Sequence, residues 1–248
     1  MIINSQDPGR RFGGVIRLYG LQKFKIFQSS HVCIVGIGGV GSWVAESMAR
    51  NGVGKITLID MDHIAESNIN RQIHAMDSSI GQSKVEAMKS RILDINSECK
   101  INCHDFFLEE DNITDLISKR FDFVVDAIDQ TKIKILLAEY CLEQSVPFIM
   151  TGGAGGKVNP ELIKLDELAK TFGDPLLTKI RQYFNKKNKL TKRKFKIPTV
   201  FSSETATKPE KTESNKPLVG LSCAGYGSNV NVTASFAFMA ASYVLSRL

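Results

Sequence analysis

The sequence has few of the features that mark secreted or zinc-binding proteins. Its five cysteines are odd in number, scattered, and include no C-x-x-C pair. This argues against a disulfide framework and a structural zinc site, and it is typical of a cytoplasmic protein with reduced thiols. Nineteen glycines and seven prolines are too few for a collagen-like or low-complexity chain. The first residues, MIINSQDPGRRF, lack an apolar core of signal-peptide length, so secretion is not expected.

Long hydrophobic runs are also missing. The stretch from Val219 to Ser246 carries no charge, but its polar residues leave an apolar part only about half a bilayer long. It therefore predicts a buried helix that ends at Arg247. Peripheral membrane association is the less favoured alternative.

Positive charge is concentrated in one segment. The chain has 32 Lys+Arg and 26 Asp+Glu, a formal net charge of +6. Residues 179–196 hold nine of the basic residues and no acid, so the rest of the chain is mildly acidic. The excess predicts a local contact with a polyanion, carried by a flexible extension.

Strand and helix patterns alternate over the first 150 residues. Apolar runs predict strands at 31–36, 55–60, 100–104, 121–126 and 146–150, separated by helices at about 42–50, 82–95 and 132–143. This order predicts an α/β, Rossmann-like fold with a mainly parallel sheet and helices on both faces. We expect a single domain, 1–248. It would comprise an N-terminal segment (1–30), a nucleotide-binding core (31–156) and a loop-rich C-terminal half (157–248), with an exposed loop at 202–216.

A glycine-rich loop closes the first predicted strand and opens a helix. Its glycines are Gly36, Gly38, Gly39 and Gly41. Such glycines let the backbone approach a pyrophosphate and aim helix N–H groups at it. Asp60 ends the second strand, where an acid binds ribose hydroxyls. The pattern predicts nucleotide binding without separating NAD from ATP.

The segment after Asp60 favours ATP. Asp62 is followed by Asn68-Ile69-Asn70-Arg71-Gln72, an element for which a nicotinamide-binding domain has no use. Arg71 can clamp phosphate oxygens, and Asn68 and Gln72 can add neutral donors. Lys84 is a second candidate phosphate ligand, with a solvated helix face as the alternative.

Two carboxylates lie at the end of the strand at 121–126 and just after it. Asp126-Ala127-Ile128-Asp129 falls at the sheet edge where the nucleotide must lie, and a carboxylate there suits Mg2+. For Asp126, a capping or loop role is the alternative.

The order and spacing of these motifs resemble those of the adenylating ThiF/MoeB superfamily, which includes ubiquitin-activating enzymes. The motifs are G-x-G-G-x-G, D-x-D, N-x-N-R-Q, Lys84 and D-A-I-D. The resemblance covers roughly residues 11–156. Four further segments, RFGGVIRLYG (11–20), NRQIHA (70–75), TGGAGGKVNP (151–160) and SCAGYGSNVNVTASFAF (222–238), resemble the tRNA threonylcarbamoyladenosine dehydratase branch. They extend the resemblance over nearly the whole chain.

The resemblance implies ATP-dependent, AMP-forming dehydration of threonylcarbamoyladenosine beside the tRNA anticodon. The threonyl carboxylate would be adenylated, and an attack from within the same side chain would close a ring. Arg71, Lys84 and Asp129 would be catalytic, with Asp129 holding Mg2+. The ATP-binding set would be Gly36, Gly38, Gly39, Gly41, Asp60, Asp62, Asn68, Arg71, Gln72 and Lys84.

The resemblance also implies partners. The basic segment would hold tRNA through Lys187, Lys189, Lys192, Arg193 and Lys194, while Phe184 and Phe195 would anchor it to the body rather than stack on bases. Carrier-activating relatives contribute an N-terminal arginine to the partner subunit. Here glycine stands in its place, so Arg11 or Arg17 would substitute in trans within a homodimer. Cys223 would accept sulfur from a cysteine desulfurase system, although a buried small residue is the favoured interpretation.

Three other functions remain as hypotheses. An adenylating enzyme for a ubiquitin-like sulfur-carrier protein uses the same first step, although such relatives often keep paired C-x-x-C zinc ligands. An RNA-binding module that senses a nucleotide without turnover would use the same motifs. A nicotinamide dehydrogenase ranks last, because it leaves Arg71 and its neighbours unexplained. Of the four histidines, only His74 falls near the predicted site.

Overall fold

The computed structural model describes residues 8–117, 119–191, 196–207 and 226–248. Its strands are β1 (His31–Val35), β2 (Lys55–Ile59), β3 (Lys100–His104), β4 (Phe123–Asp126), β5 (Phe148–Thr151), β6 (Ile163–Glu167) and β7 (Pro198–Ser202). Its helices are α1 (Pro8–Tyr19), α2 (Leu21–Ser29), α3 (Gly41–Arg50), α4 (Lys84–Ile95), α5 (Ile113–Leu116), α6 (Thr131–Gln144), α7 (Pro175–Thr191) and α8 (Val230–Arg247).

The strands form one sheet in the order β3-β2-β1-β4-β5-β7-β6. All neighbours are parallel except β6 and β7, which are antiparallel. The predicted Rossmann-like, mainly parallel sheet is thus confirmed. Val35 at the end of β1 is in register with Ile59 of β2 and with Asp126 of β4. The carboxyl ends of these strands therefore meet at one edge, which places Asp60 and Asp126 beside the glycine loop.

Helices cover both faces of the sheet, each over its own apolar core. One core joins the sheet to α1–α4 and α8, and the other joins it to α5, α6 and α7. The strands of the sheet's centre are buried on both sides, which explains their continuous apolar runs. The predicted C-terminal helix is confirmed as α8, which packs against α3. Within the described ranges, no helix is long and apolar enough to cross a membrane.

The C-terminal half is more regular than the sequence indicated. The sequence predicts a flexible extension for the basic segment, but the part of it described up to Thr191 belongs to the helix α7. Leu177, Ile180 and Phe184 recur at helical spacing and are buried against the sheet, which stabilises α7 on the body. The strands β6 and β7 and the helices α1 and α2 were also not predicted. Residues 208–216 of the predicted exposed loop lie outside the described part.

Candidate functional site

A cleft of about 310 Å³ opens at the carboxyl edge of the sheet. Its walls come from the segments that follow β1, β2, β3, β4 and β5, together with the start of α8. Most of the predicted ATP-binding residues line it: Gly36, Gly38, Gly39, Asp60, Asp62, Arg71, Gln72, Lys84 and also Asp129. The fold thus brings together predicted site residues that are up to 93 positions apart in the sequence.

The four glycines of the loop have different roles. Gly36 has a φ of 87°, and a Cβ there would lie 2.8 Å from the Ala127 carbonyl oxygen. A Cβ on Gly41 would lie 1.8 Å from the Gly36 oxygen, so Gly41 is required for packing of the loop and is not among the cleft-lining residues. Gly38 and Gly39 form the cleft wall itself, and a Cβ on Gly38 would have no neighbour closer than 3.9 Å.

Asp60 links the glycine loop to the segment after β2. Its Oδ2 accepts a hydrogen bond from the Ile37 N–H at 2.6 Å, and its Oδ1 accepts one from the Asp62 N–H at 2.8 Å. Burial raises the pKa of the Asp60 carboxyl, while the Lys84 charge and these N–H groups act in the opposite direction. The residue predicted to bind the ribose therefore also fixes the position of the glycine loop.

Lys84 begins α4 with its side chain in the cleft. It is only 5% exposed, and its Nζ lies 2.6 Å from Asp62 Oδ2. A solvated helix face is therefore the wrong interpretation of this lysine. The structure places a buried ammonium group in the wall of the cleft.

Arg71 is buried and held by its own turn. Its Nη1 donates to the Ser67 carbonyl at 2.7 Å and to Asn70 Oδ1 at 2.9 Å. Trp43 Nε1 in turn donates to the Arg71 carbonyl at 3.0 Å. The guanidinium is thereby fixed against the cleft, where rigid donors stabilise phosphate charge most effectively.

The two neighbouring amides differ from each other. Asn68 Oδ1 accepts the Ala65 N–H at 3.1 Å, and Asn68 is not among the residues that line the cleft. Its contacts are those of a turn residue, and its role as a phosphate ligand stays a prediction. Gln72 does line the cleft, and its buried Oε1 has no hydrogen-bond partner within the described segments.

The two carboxylates of the D-A-I-D segment lie in different environments, one buried and one in the cleft. Asp126 is fully buried, with its Oδ1 2.7 Å from Lys134 Nζ and 3.1 Å from the Ile128 N–H. Burial raises the pKa of Asp126, and the Lys134 charge opposes that shift. Asp129 is exposed and lines the cleft. Asp126 thus shapes the loop after β4, and Asp129 is the carboxylate that a ligand can reach.

Comparison with known proteins identifies the family. Residues 14–192 match the model of the ThiF family. The chain belongs to the ThiF family. It is 43% identical to the tRNA threonylcarbamoyladenosine dehydratase of Haemophilus influenzae, over 96% of this chain and 93% of that protein. It is 41% identical to the Escherichia coli protein of the same name, over 100% of this chain and 96% of the relative. The crystal structure of the E. coli dehydratase in complex with ATP superimposes with a TM-score of 0.87 at 40% identity, covering 99% of this chain and 96% of the other.

Part of the predicted tRNA-binding set of this ThiF-family chain lies on α7. Lys187 forms ion pairs with Glu139 and, at 3.7 Å, with Glu143, both on α6, while Lys189 is exposed. Phe184 is buried in the sheet-facing core, which confirms its role as an anchor. Lys192, Arg193, Lys194, Phe195 and Cys223 lie outside the described residues.

The predicted in-trans arginines lie on α1. Arg11 Nη1 donates to the Ile95 carbonyl at 2.8 Å, at the end of α4. It lines a second cavity, of about 350 Å³, together with Lys55 and Lys100, which begin β2 and β3. Arg11 thus lies at the amino edge of the sheet, opposite the cleft in the same chain. Arg17 is exposed.

The sequence did not indicate several polar residues that lie in or near the site. Lys134, Lys157 and Asp174 are buried charges around the cleft, and Ser228 and Thr233 bring the start of α8 to its wall. Two signals could have indicated part of this set. Lys157 directly follows the Gly-rich segment at 151–156, and Asp174 precedes Pro175, a pattern typical of a helix start.

Proposed function

We propose that this chain is an ATP-dependent dehydratase that acts on threonylcarbamoyladenosine beside the anticodon of tRNA. The observation that carries the proposal is the cleft, in which a glycine loop, a carboxylate at the end of β2 and two buried cations, Lys84 and Arg71, converge. The full-length likeness to two dehydratases and to an ATP complex supports it further.

The first step would form an acyl-adenylate. The threonyl carboxylate attacks the α-phosphate of ATP, and pyrophosphate leaves. Gly38 and Gly39 would line the phosphates and Asp60 the ribose. Lys84 and Arg71 would offset the negative charge that develops on the transferred phosphate and on the leaving group. Because both cations are buried in place, little reorganisation is needed during the reaction.

The second step would close a ring. A nucleophile within the same side chain attacks the activated carbonyl, and AMP leaves, so that the nucleoside has lost one water in total. The reacting groups are joined covalently, and their effective concentration is high without an enzyme nucleophile. This fits a cleft that needs to bind and neutralise rather than supply a reactive side chain.

Asp129 would hold Mg2+ at this site. No group of three metal-ligating His, Cys, Asp or Glu side chains occurs within the described ranges. Mg2+ nevertheless needs only one or two protein carboxylates when phosphates supply the other oxygens, and an exposed cleft carboxylate fits that role. When bound, the ion would supply positive charge to the phosphates.

The remaining partners also belong to this proposal. The basic helix α7 and the residues that follow it would contact tRNA phosphates. We further propose a homodimer in which Arg17, or Arg11 after release from α4, reaches the partner's cleft. A sulfur-transfer partner would act at Cys223, although a role for this cysteine in packing alone remains the favoured interpretation. With tRNA as the substrate, we propose a cytoplasmic location.

The test is a reaction of the protein with ATP, Mg2+ and threonylcarbamoylated tRNA. Mass analysis of the digested tRNA should show a nucleoside lighter by one water, with one AMP and one pyrophosphate formed per nucleoside. An unchanged nucleoside would contradict the proposal. Pyrophosphate exchange that requires a carrier protein ending in Gly-Gly would favour the carrier-activating alternative.

A further inference from the structure

Two buried side chains of opposite charge lie beside the loop that follows β5. Lys157 and Asp174 are each 2% exposed, and Lys157 Nζ lies 3.5 Å from Asp174 Oδ2. Burial of an ion pair costs free energy because both charges lose hydration. That cost is offset only if the two side chains also make hydrogen bonds to other polar groups. The contacts of the pair identify those groups.

Both backbone polar groups of Gly153 are bound by this pair. The Gly153 N–H donates to Asp174 Oδ2 at 2.8 Å, and Lys157 Nζ donates to the Gly153 carbonyl at 2.5 Å. A Cβ on Gly152 would lie 2.4 Å from Asp174 Oδ2, so the carboxylate packs directly under the loop. The loop cannot shift without breaking charge-assisted hydrogen bonds.

The pair also joins the loop to two helices. Asp174 Oδ1 accepts the Leu177 N–H at 3.1 Å, in the first turn of α7. The Lys157 carbonyl accepts a hydrogen bond from Asn229 Nδ2 at 3.3 Å, and Asn229 caps α8 through the Val232 N–H. The basic helix and the C-terminal helix are therefore both connected to the same short wall of the cleft.

This wall lies on the side of the cleft away from the proposed ribose ligand. Asp60 follows β2, whereas Gly152–Gly155 follow β5, three strands further along the sheet and thus about 14 Å away. The glycine loop after β1 lies between the two. With the ribose at the end of β2 and the phosphates at the end of β1, the ends of β4 and β5 are left for the carboxylate that approaches the α-phosphate.

We propose that Lys157 and Asp174 are positioning residues that hold the Gly152–Gly155 wall of the cleft in place for the acyl substrate. The inference rests on the proposed function and deepens it. Neither side chain contacts the reacting groups; both act through Gly153. Loss of the pair should therefore impair the reaction of the bound carboxylate more than the binding of ATP.

The variant Asp174→Asn tests this directly. Asparagine offers one side-chain oxygen to the Gly153 and Leu177 N–H donors, where aspartate offers two. We expect turnover with threonylcarbamoylated tRNA to fall about 10- to 100-fold, since small displacements of substrate-positioning groups have effects of that size. The dissociation constant for ATP, measured by calorimetry, should stay unchanged.

Glu46→Gln is the matched control. Glu46 is also a buried carboxylate, paired at 2.7 Å with Arg50 and with Arg91, but it joins α3 to α4 and is not among the residues that line the cleft. Its loss should lower stability and leave turnover near that of the wild type. If Asp174→Asn and Glu46→Gln lost turnover equally, Asp174 would contribute only to the stability of the fold and would have no positioning role.

A double variant, Lys157→Met with Asp174→Asn, guards against misfolding because it leaves no unpaired buried charge. It should lose turnover to the same extent as either single variant, since both residues act through Gly153. Additive losses, a parallel loss of ATP affinity, or full turnover in the variants would overturn the positioning role. An inactive wild-type protein would instead overturn the proposed function.

Discussion

Lys84 and Asp62 form an ion pair in the cleft, with 2.6 Å between Nζ and Oδ2. The side chain of the lysine is 7% exposed and that of the aspartate 54%, so the carboxylate is the solvent-facing half of the pair. The Lys84 N–H also donates to the Asp62 carbonyl at 3.0 Å, which ties the start of α4 to the segment after β2. Asp62 thus keeps a buried ammonium charge satisfied at the place where triphosphate oxygens would bind.

Replacement of Lys84 by methionine should lower kcat about 100-fold at saturating ATP, because one preorganised cation is lost from the transition state. Lys89→Met is the control. Lys89 lies on the same helix and pairs with Glu86 at 3.1 Å, but it is not part of the cleft wall. Steady-state release of AMP measures both variants. Equal rates in Lys84→Met and the wild type would show that Lys84 does not contact the phosphates.

Alanine substitutions should separate the packing glycines from the ligand-facing ones. Gly41→Ala places a Cβ 1.8 Å from the Gly36 oxygen, and we expect the free energy of unfolding to fall by about 1–3 kcal/mol, as in other overpacked sites. Gly38→Ala meets only an ordinary contact, with Gln72 Nε2 at 3.9 Å, and should leave stability unchanged while weakening ATP binding. Denaturant titration and calorimetry measure the two effects. Equal destabilisation by both substitutions would contradict this division.

The sequence predicted those parts of the structure that depend on local pattern. The runs that became β1, β2, β3, β4 and β5 were located to within two residues. For β1, β2, β4 and β5 the reason is that a strand buried on both faces leaves an unbroken apolar signal. The glycine loop and Asp60 were placed correctly for the same reason, since each directly follows one of these strands. Most of the predicted ATP ligands therefore line the cleft.

The contacts that depend on tertiary packing were not predictable. Lys187 looked like any other residue of the basic run, and only the packing of α7 on α6 brings it to Glu139. Lys157 and Asp174 are 17 positions apart, and nothing in their local sequence indicates that they meet under Gly153. Asn68 shares its motif with Arg71 and Gln72, yet the turn at 66–68 directs it to the Ala65 N–H instead of the cleft.

His74 should make stability depend on pH. Burial, with the Lys84 charge, lowers the pKa of His74 to about 4, against 6.5 for an unperturbed histidine. The folded protein thus binds fewer protons than the unfolded chain between these values, so stability is lost as pH falls from about 6.5 to 4. The shift corresponds to about 3 kcal/mol. His74→Gln should flatten the decline, measured by denaturant unfolding at each pH, whereas His63→Gln, at an exposed position, should keep it.

The two carboxylates of the D-A-I-D segment should respond differently to removal of charge. Asp129→Asn should lower turnover through weakened Mg2+ binding, and raised Mg2+ should restore part of it. Asp126→Asn leaves Lys134 buried without its partner, so it should destabilise the fold by about 3–5 kcal/mol, with no rescue by Mg2+. Turnover is followed over a magnesium titration. A failure of Mg2+ to rescue Asp129→Asn would remove that residue as the proposed ligand.

The proposed tRNA-binding surface can be tested on α7 and on the residues after it. Lys186 and Lys189 are exposed, whereas Lys187 is held against Glu139 of α6. Neutralising Lys186 and Lys189 should weaken tRNA binding and reduce the slope of log affinity against log salt by about one per lost phosphate contact. Neutralising Lys192, Arg193 and Lys194 should act in the same way, with ATP affinity unchanged in both cases.

Lys187→Gln should instead lower stability, because it leaves Glu139 without its cation. If Lys187→Gln weakened tRNA binding as much as the exposed lysines do, the surface that we assign on α7 would be wrong.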